Sequence, residues 1–443
     1  MSHYTPYPAY KDSGVEWIGR VPEHWEVKRF KFAISNCRNG IWGDDPTGHD
    51  DTPCVRVADF DRSALRVNQE IPTLRAIPER DRASRLLRPG NLLLEKSGGG
   101  DSQPVGQVVL YDQAVEAVCS NFIARMELVH RADPSFWRYQ FAGAYACGLN
   151  LRSVKQTSGI QNLDQEQYLD EMATYPPPAE QSAIAAALDR ETARIDALIA
   201  KKTRFIELLK EKRQALITHA VTKGLDPNVR MKDSGVAWIG EVPEHWENKR
   251  IAFLFAEAIR TGDPALPVLS ISIHDGITDE EVSQDDRDRR VWLSEDRTKY
   301  KRVEPGDIAY NMMRAWQGAF GAVTVRGLVS PAYVVAAPVK PIETAYMECL
   351  LRTPMAIEEM RRFSRGIADF RMRLYWDEFR NLSICLPPLK EQRAILDHIA
   401  TSSARFNTIV AATDRSIALL KERRSALITA AVTGQIDLRE DAA

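Results

Sequence analysis

The sequence predicts an α+β protein. Two α/β domains stand in tandem, each followed by a long helix, and the two helices pair as a coiled coil, giving pseudo-two-fold character. Three observations predict this. Residues 11–32, KDSGVEWIGRVPEHWEVKRFKF, return at 232–253 as KDSGVAWIGEVPEHWENKRIAF, with 17 of 22 positions identical at an offset of 221. Residues 204–222 return at 415–433 with 14 of 19 identical, at an offset of 211. Between the shared blocks lie two divergent stretches, 34–176 and 255–386, the second about ten residues shorter. A period above 200 residues is too long for a solenoid or propeller. It marks duplication of a whole module.

The layout follows from this. Residues 1–33 form a shared segment, 34–176 a first domain and 177–226 a central helix. Residues 227–254 repeat the shared segment, 255–386 form a second domain and 387–443 a C-terminal helix. Each helical block opens on a proline pair and a Glu-Gln step: PPAEQ at 177–181, PPLKEQ at 387–392. Proline suits a helix start and stops what precedes it. About 42 residues free of Gly and Pro follow, a rod of roughly 60 Å at 1.5 Å per residue. Steps of four and three put Ile184, Leu188, Ile195, Leu198, Phe205, Leu209 and Leu216 on one seam. The second seam reads Ile395, Ile399, Phe406, Ile409, Leu420 and Leu427. Polar residues interrupt both at matching places: Glu191, Lys202 and Lys212, then Ser402, Thr413 and Arg423. A narrow stripe this long needs a partner helix, and polar seam positions fix register. Each block ends in Ala-Val-Thr before Gly224 or Gly434, a helix stop. Lys210, Lys212, Arg213 and Lys421, Arg423, Arg424 occupy the later turns. There they suit the helix dipole and fit either a solvated face or a contact with phosphate or a partner.

The divergent stretches read as mixed α/β. Apolar runs at 92–94, 107–111, 122–128, 308–310, 321–325 and 332–336 predict strands, and 134–147 and 343–363 predict helices. Pro89-Gly90-Asn91 and Pro305-Gly306-Asp307 echo one another as turns ahead of strands, and Gly159-Ile160 and Gly366-Ile367 form a second echo. Loops carry the contact chemistry. Residues 96–103, KSGGGDSQ, offer Lys96, Ser97 and Gln103 on a glycine-rich loop without the phosphate-binding GxxxxGK[ST] pattern. Residues 152–162 offer Arg152, Lys155, Gln156, Ser158, Gln161 and Asn162, basic and amide side chains that can pair with guanine and adenine edges. In the second domain Arg314 and Gln317 flank Trp316, while Arg361, Arg362, Arg365, Arg371 and Arg373 cluster with Tyr375.

Composition narrows the function classes. The chain has 443 residues, 44% of them hydrophobic and 27% charged, with a net charge of −2. It is therefore globular, and it lacks the strong basic excess of a compact nucleic-acid-binding domain. DNA binding would need local basic patches or a partner's grip. No apolar run reaches the roughly 18 residues of a membrane span. The first ten residues are polar and proline-bearing, and the six cysteines are scattered, so a cytoplasmic location is expected. GxGxxG, HExxH, GxSxG and the [DNS]PP[YFW] tetrad of amino-methyltransferases are absent, and Tyr175-Pro176-Pro177-Pro178 lacks that tetrad's ends. Glu23-His24-Trp25-Glu26-Val27-Lys28 brings its carboxylates too close in sequence for a nuclease set. The block reads as structural, with Trp17, Trp25, Trp238 and Trp246 packing it against the helices.

The KDSG-x2-WIG-x-VPEHWE block, the PP-x-EQ or PP-x2-EQ helix start and the KE(K/R)R-x-ALI helix end each occur twice. In this layout the chain resembles, over essentially its whole length, the specificity subunit of type I restriction-modification enzymes. The resemblance implies two target-recognition domains that each read half of a split double-stranded DNA sequence. It implies that the helices pack antiparallel and set the spacer. It further implies that the conserved regions dock two modification subunits, which methylate adenine, and that a restriction subunit, where present, translocates and cuts DNA. The chain itself would be non-catalytic and carry no cofactor or metal, with S-adenosylmethionine, ATP and Mg on the partner subunits. The variable domains do not transfer residue by residue, so the base-contact candidates rest on loop chemistry alone.

Overall fold

The computed structural model describes residues 5–100, 102–157, 160–273, 276–278, 297–366 and 372–439, the side chains of Gln156 and Thr157 excepted. The candidates Gln156, Ser158 and Arg371 and the Gly159/Ile367 echo lie outside this description. The chain divides into two compact units, residues 1–203 with 414–443, and residues 204–413. The long helices span Pro178–Lys223 and Leu389–Val432, 46 and 44 residues. Each helix contributes one end to each unit.

In the first unit the central sheet runs in the order Ile34–Asn39, Ile123–Leu128, Asn91–Glu95, Val108–Tyr111, Arg66–Val67, Phe60–Asp61. Its middle strands are apolar on both faces because both faces are covered. Leu92, Leu94, Val108, Leu110, Ala124 and Met126 enter the helix-side core. Leu93, Val109, Tyr111 and Ile123, one residue out of phase, enter a second core, as strand alternation requires. The helix Pro134–Ala146, capped by Asp133, lies on the first face. Its Phe141 stacks on Phe30 at 4.5 Å.

The second unit repeats this order with fewer strands: Phe255–Glu257, Tyr333–Pro338, Ile308–Asn311, Phe320–Ala322. Ile308, Tyr310, Val334 and Ala336 face the helix-side core, Ala309 and Val335 the other. The divergent stretches thus share a topology. The Pro-Gly echo is its clearest trace. Gly90 (φ +97°) and Gly306 (φ +92°) sit in matching turns. Their N–H groups donate to Tyr111 and Val323 at 2.8 Å each. The span expected as one helix at 343–363 is two, Thr344–Leu351 and Pro354–Phe363, because Pro354 opens a new helix capped by Thr353.

Within each unit the two long helices pack on one another and on that unit's domain. Ile184, Leu188, Ile195, Leu427, Ile428 and Val432 share one cluster in the first unit. In the second, Ile395 and Ile399 are buried with Ala220 and Val221. Arg424 bonds Asp196 at 3.2 Å, and Arg213 reaches Asn407 at 3.4 Å. In both contacts the two helices run antiparallel. The seam differs from expectation at three places. Leu198, Phe205 and Ile409 are exposed, while Thr192, Ile206, Leu209 and Thr413 are buried. The seam steps from Ile195 to the half-buried Ile199 rather than to Leu198, so Ile206 replaces Phe205. Val410 is half-buried where Ile409 was expected. Leu216, Phe406 and Leu420 are half-buried. Thr192 and Thr413 fit an apolar seam because each hydroxyl donates to a carbonyl one turn back, at 2.6 and 2.7 Å.

Candidate nucleic-acid interface

The shared blocks fix how each domain is mounted. In the first unit the buried Trp25 donates its indole N–H to Glu180 at 2.9 Å, and His24 Nε2 meets the same carboxylate at 2.7 Å. In the second, Trp246 donates to Glu391 at 3.2 Å, and His245 meets it at 2.7 Å. The adjacent glutamine does equivalent work twice. Gln181 donates to the Pro176 carbonyl and accepts from Asp133 N–H; Gln392 donates to Pro387 and accepts from Glu343 N–H. The two helix starts are therefore one motif, PP-x2-EQ from Pro176 and Pro387, not two spacings. Trp17 and Trp238 donate to the Met172 and Ser383 carbonyls, so they anchor on strands beneath the domains rather than on the helices. At the helix ends, Thr174 satisfies the Val432 carbonyl and Tyr346 the Val221 carbonyl, at 2.5 and 2.8 Å. These are matching positions, and helix-end carbonyls have no partner within the helix. The sequence reading missed this clamp. Its signal was the recurrence of His-Trp in the shared block and of Glu at the helix start in both halves.

The structure brings the first domain's two candidate loops together. Strand Ser97–Gly98 pairs antiparallel with Ile160–Leu163, which pairs with Val154–Thr157, so Ser97, Asn162 and Lys155 lie in register. Asn162 is exposed and accepts from the Ser97 hydroxyl at 2.6 Å. Lys96 is half-buried and donates to Asn39 at 2.5 Å, and burial lowers its pKa. Lys155 pairs with Asp164 at 2.7 Å, which raises the lysine pKa and lowers that of the aspartate. Gln103 is exposed at a turn closed on Gly100. One candidate is corrected. Gln161 alternates to the inner face, where it is buried and accepts from Val105 N–H at 3.2 Å. It supports the edge and cannot read a base. Arg152 is exposed at the base of the hairpin, 3.7 Å from Glu171.

The second domain assembles its candidates at the matching place. The Lys96 carbonyl accepts from Leu163 N–H at 2.8 Å, and the Met312 carbonyl accepts from Leu374 N–H at 2.9 Å. Lys155 pairs with Asn162 in one hairpin, while Arg365 and Arg373 exchange backbone bonds of 2.8 and 2.9 Å in the other. On this frame Ser97 corresponds to Met313, Asn162 to Arg373 and Lys155 to Arg365. Arg361 lies over the Trp316 ring at 5.7 Å, and Arg314, Gln317 and Tyr375 are exposed nearby. The arginine run is less free than it reads, because Arg362 pairs with Glu359 and Arg365 with Glu378. Among the described residues no cluster could hold a metal ion, and no helix is long and apolar enough to cross a membrane.

No family model matches the chain. Two curated relatives do. The putative type I restriction enzyme MjaX specificity subunit of Methanocaldococcus jannaschii is 24% identical over 232 residues, 52% of each chain. The match thus spans about half the length of that relative. The type I restriction enzyme EcoKI specificity subunit of Escherichia coli K12 is 22% identical over 383 residues, 80% of this chain and 76% of its own. The HsdS subunit of Thermoanaerobacter tengcongensis superposes with a TM-score of 0.51 at 16% identity, over 94% of this chain and 98% of its own. A chain from a structure describing complex assembly and conformational transition of a type I restriction-modification system gives 0.59 at 16% identity, over 93% and 98%. The chain has the fold of these type I subunits.

Proposed function

We propose that this chain is the DNA-recognition subunit of a type I restriction-modification complex. Each domain reads one half of a split target, and the paired helices set the spacer. The conserved regions dock the adenine-methylating subunits. One observation carries the reading: residues that mount the two domains are duplicated, while residues at the matching exposed edges differ. His24, Trp25 and Glu180 recur as His245, Trp246 and Glu391. Ser97, Asn162 and Lys155 of the first domain correspond to Met313, Arg373 and Arg365 of the second. A protein that reads two unlike half-sites from one scaffold needs this division. Asn and Arg are the side chains suited to adenine and guanine edges, respectively. A net charge of −2 is compatible with DNA binding when partner subunits supply phosphate contacts. In this reading no cofactor sits on the chain, and S-adenosylmethionine, ATP and Mg belong to the partners.

The test is a methylome. The chain is co-expressed with its modification subunit in a methylation-free host, and methylated adenines are mapped by single-molecule sequencing. A split motif with a fixed gap, present only with this chain, is expected. An unchanged methylome from a soluble, co-purifying complex would refute the reading.

A further inference from the structure

A buried ion pair lies beneath the first domain's candidate edge. Glu95 ends the strand Asn91–Glu95 and is 0% exposed. Its two carboxylate oxygens accept from Nη2 of Arg62 at 3.0 and 2.9 Å. Ser97 follows two residues later, and a Cβ built on Gly98 would stand 3.9 Å from Glu95 Oε1. Arg62 comes from the turn after Phe60–Asp61. Asp61 closes that turn, accepting from the Ser63 and Ala64 N–H groups at 2.9 and 2.8 Å. Arg138, on the helix Pro134–Ala146, donates to the Ala64 carbonyl at 3.2 Å, and Arg424, on the C-terminal helix, donates to the Ser63 carbonyl. Both arginines are also paired with the central helix, Arg138 with Asp189 and Arg424 with Asp196. One chain of contacts thus runs from the helix pair through the turn and Arg62 to the residue under the edge. The second domain is built differently here. Its strand Ile308–Asn311 ends on an amide at the place of Glu95, and Asn311 accepts from Met313 N–H at 3.0 Å, which closes that edge locally.

We infer that Arg62 and Glu95 are positioning residues for the half-site of the first domain. They fix the edge of Ser97 and Asn162 relative to the helix pair, so base discrimination there depends on two side chains that lie beneath the edge. Energetics argues for placement over stability. Burial raises the Glu95 pKa, and Arg62 opposes the rise. Desolvation offsets much of the attraction in such a pair, and apolar side chains of similar volume often hold a fold as well or better. Geometry argues the same way. The edge strand Ser97–Gly98 is two residues long and holds Gly98 at φ +119°, so it is stiffened only by what supports it. A side chain that pairs with a base edge must be held within about 0.5 Å by its supporting residues. The inference rests on the reading above in one respect: the edge contacts DNA bases.

The experiment uses the full chain in complex with its modification subunit. The probes are DNA duplexes carrying the split motif from the methylome, or that motif with one base pair changed. Affinity is read by fluorescence anisotropy, and folding by thermal unfolding. Asn162→Ala and Arg373→Ala mark which half belongs to which domain. The test variants are Arg62→Met, Glu95→Gln and the two together, and the double variant folds without a buried charge at this place. Wild type should reject a mismatch in either half by roughly tenfold or more. In the variants, rejection in the half marked by Asn162 should fall to about twofold, while the other half keeps its wild-type ratio. A stability role alone would weaken binding to all duplexes together and leave both ratios unchanged. That outcome, or wild-type ratios in a folded double variant, would overturn the inference and leave the proposed function standing. An unfolded double variant would overturn it as well, since the pair would then hold the domain together. If neither marker alters a ratio, the edge assignment falls and the inference with it. A wild type that does not discriminate in either half would overturn the proposed function itself.

Discussion

Gly434 and Gly224 end equivalent helices in the left-handed region, at φ +76° and +77°, yet they are not equivalent in space. A Cβ on Gly434 would fall 2.3 Å from Pro22 and 3.0 Å from Trp25. On Gly224 it would meet only the Glu391 carboxylate tip at 3.2 Å, with Pro243 and Trp246 at 3.6 Å. Both substitutions to alanine carry the backbone cost of positive φ, about 1 kcal/mol. Gly434→Ala adds a collision with a rigid ring. It should destabilise by roughly 2–4 kcal/mol against about 1 for Gly224→Ala, read by thermal unfolding. Equal shifts would mean that the Pro22 contact relaxes freely. The clamp behaves differently. Trp25→Phe retains the apolar ring but removes the N–H that Glu180 accepts. A bond to a charged group is worth about 1.5–3 kcal/mol, and denaturant unfolding should show a loss in that range. His24 and Arg439, at 2.7 and 3.4 Å, still hold the carboxylate, so the loss should fall at the lower end.

Heptad spacing alone was enough to find both long helices and their shared interruptions, because a 3.5 repeat over 40 residues admits few alternatives. It was not enough to fix the seam. Leu198 and Ile199 are adjacent and both apolar, as are Phe205 and Ile206 and Ile409 and Val410. Period counting does not choose between such neighbours, and the larger residue is the tempting choice. Packing chose the other one, and it admitted Thr192 and Thr413 because their hydroxyls find carbonyls within the helix. Ile195→Ala should therefore cost about 2–5 kcal/mol. Leu198→Ala, one helical turn on, should stay within about 0.5 kcal/mol. A large effect at Leu198 would restore the original seam. The strands were legible for a related reason. Buried on both faces, they read as continuous apolar runs. The candidate edge was legible only as loops, since the pairing of Ser97 with Asn162 joins segments 65 residues apart. Gln161 was misjudged because alternation in a two-residue contact is invisible until the register is known.

Neither sequence half supplies a complete unit. The first unit takes residues 1–203 from one half and 414–443 from the other. Leu427, Ile428, Val432, Ile436 and Leu438 lie in the same cluster as Trp25, Leu188 and Trp137. Burial of each contributes about 1.5–3 kcal/mol, so together they approach the 5–15 kcal/mol by which a domain is usually stable. The duplicated layout was visible in the sequence, but this exchange of helix ends was not. Repeats show which parts correspond and not which copies touch. A chain of residues 1–226 alone should thus leave Trp25 and Leu188 uncovered and fail to give a stable monomer. Co-expression with residues 227–443 should restore a one-to-one complex with a cooperative thermal transition. The same loss should appear in full-length chain carrying Leu427→Asp, which places a charge in that cluster without removing any segment. If 1–226 is a monomer that melts within a few degrees of the intact chain, the C-terminal helix end is not part of what holds the first unit together. The mounting of the domain would then rest on the His24–Trp25–Glu180 clamp and the Trp17 anchor alone.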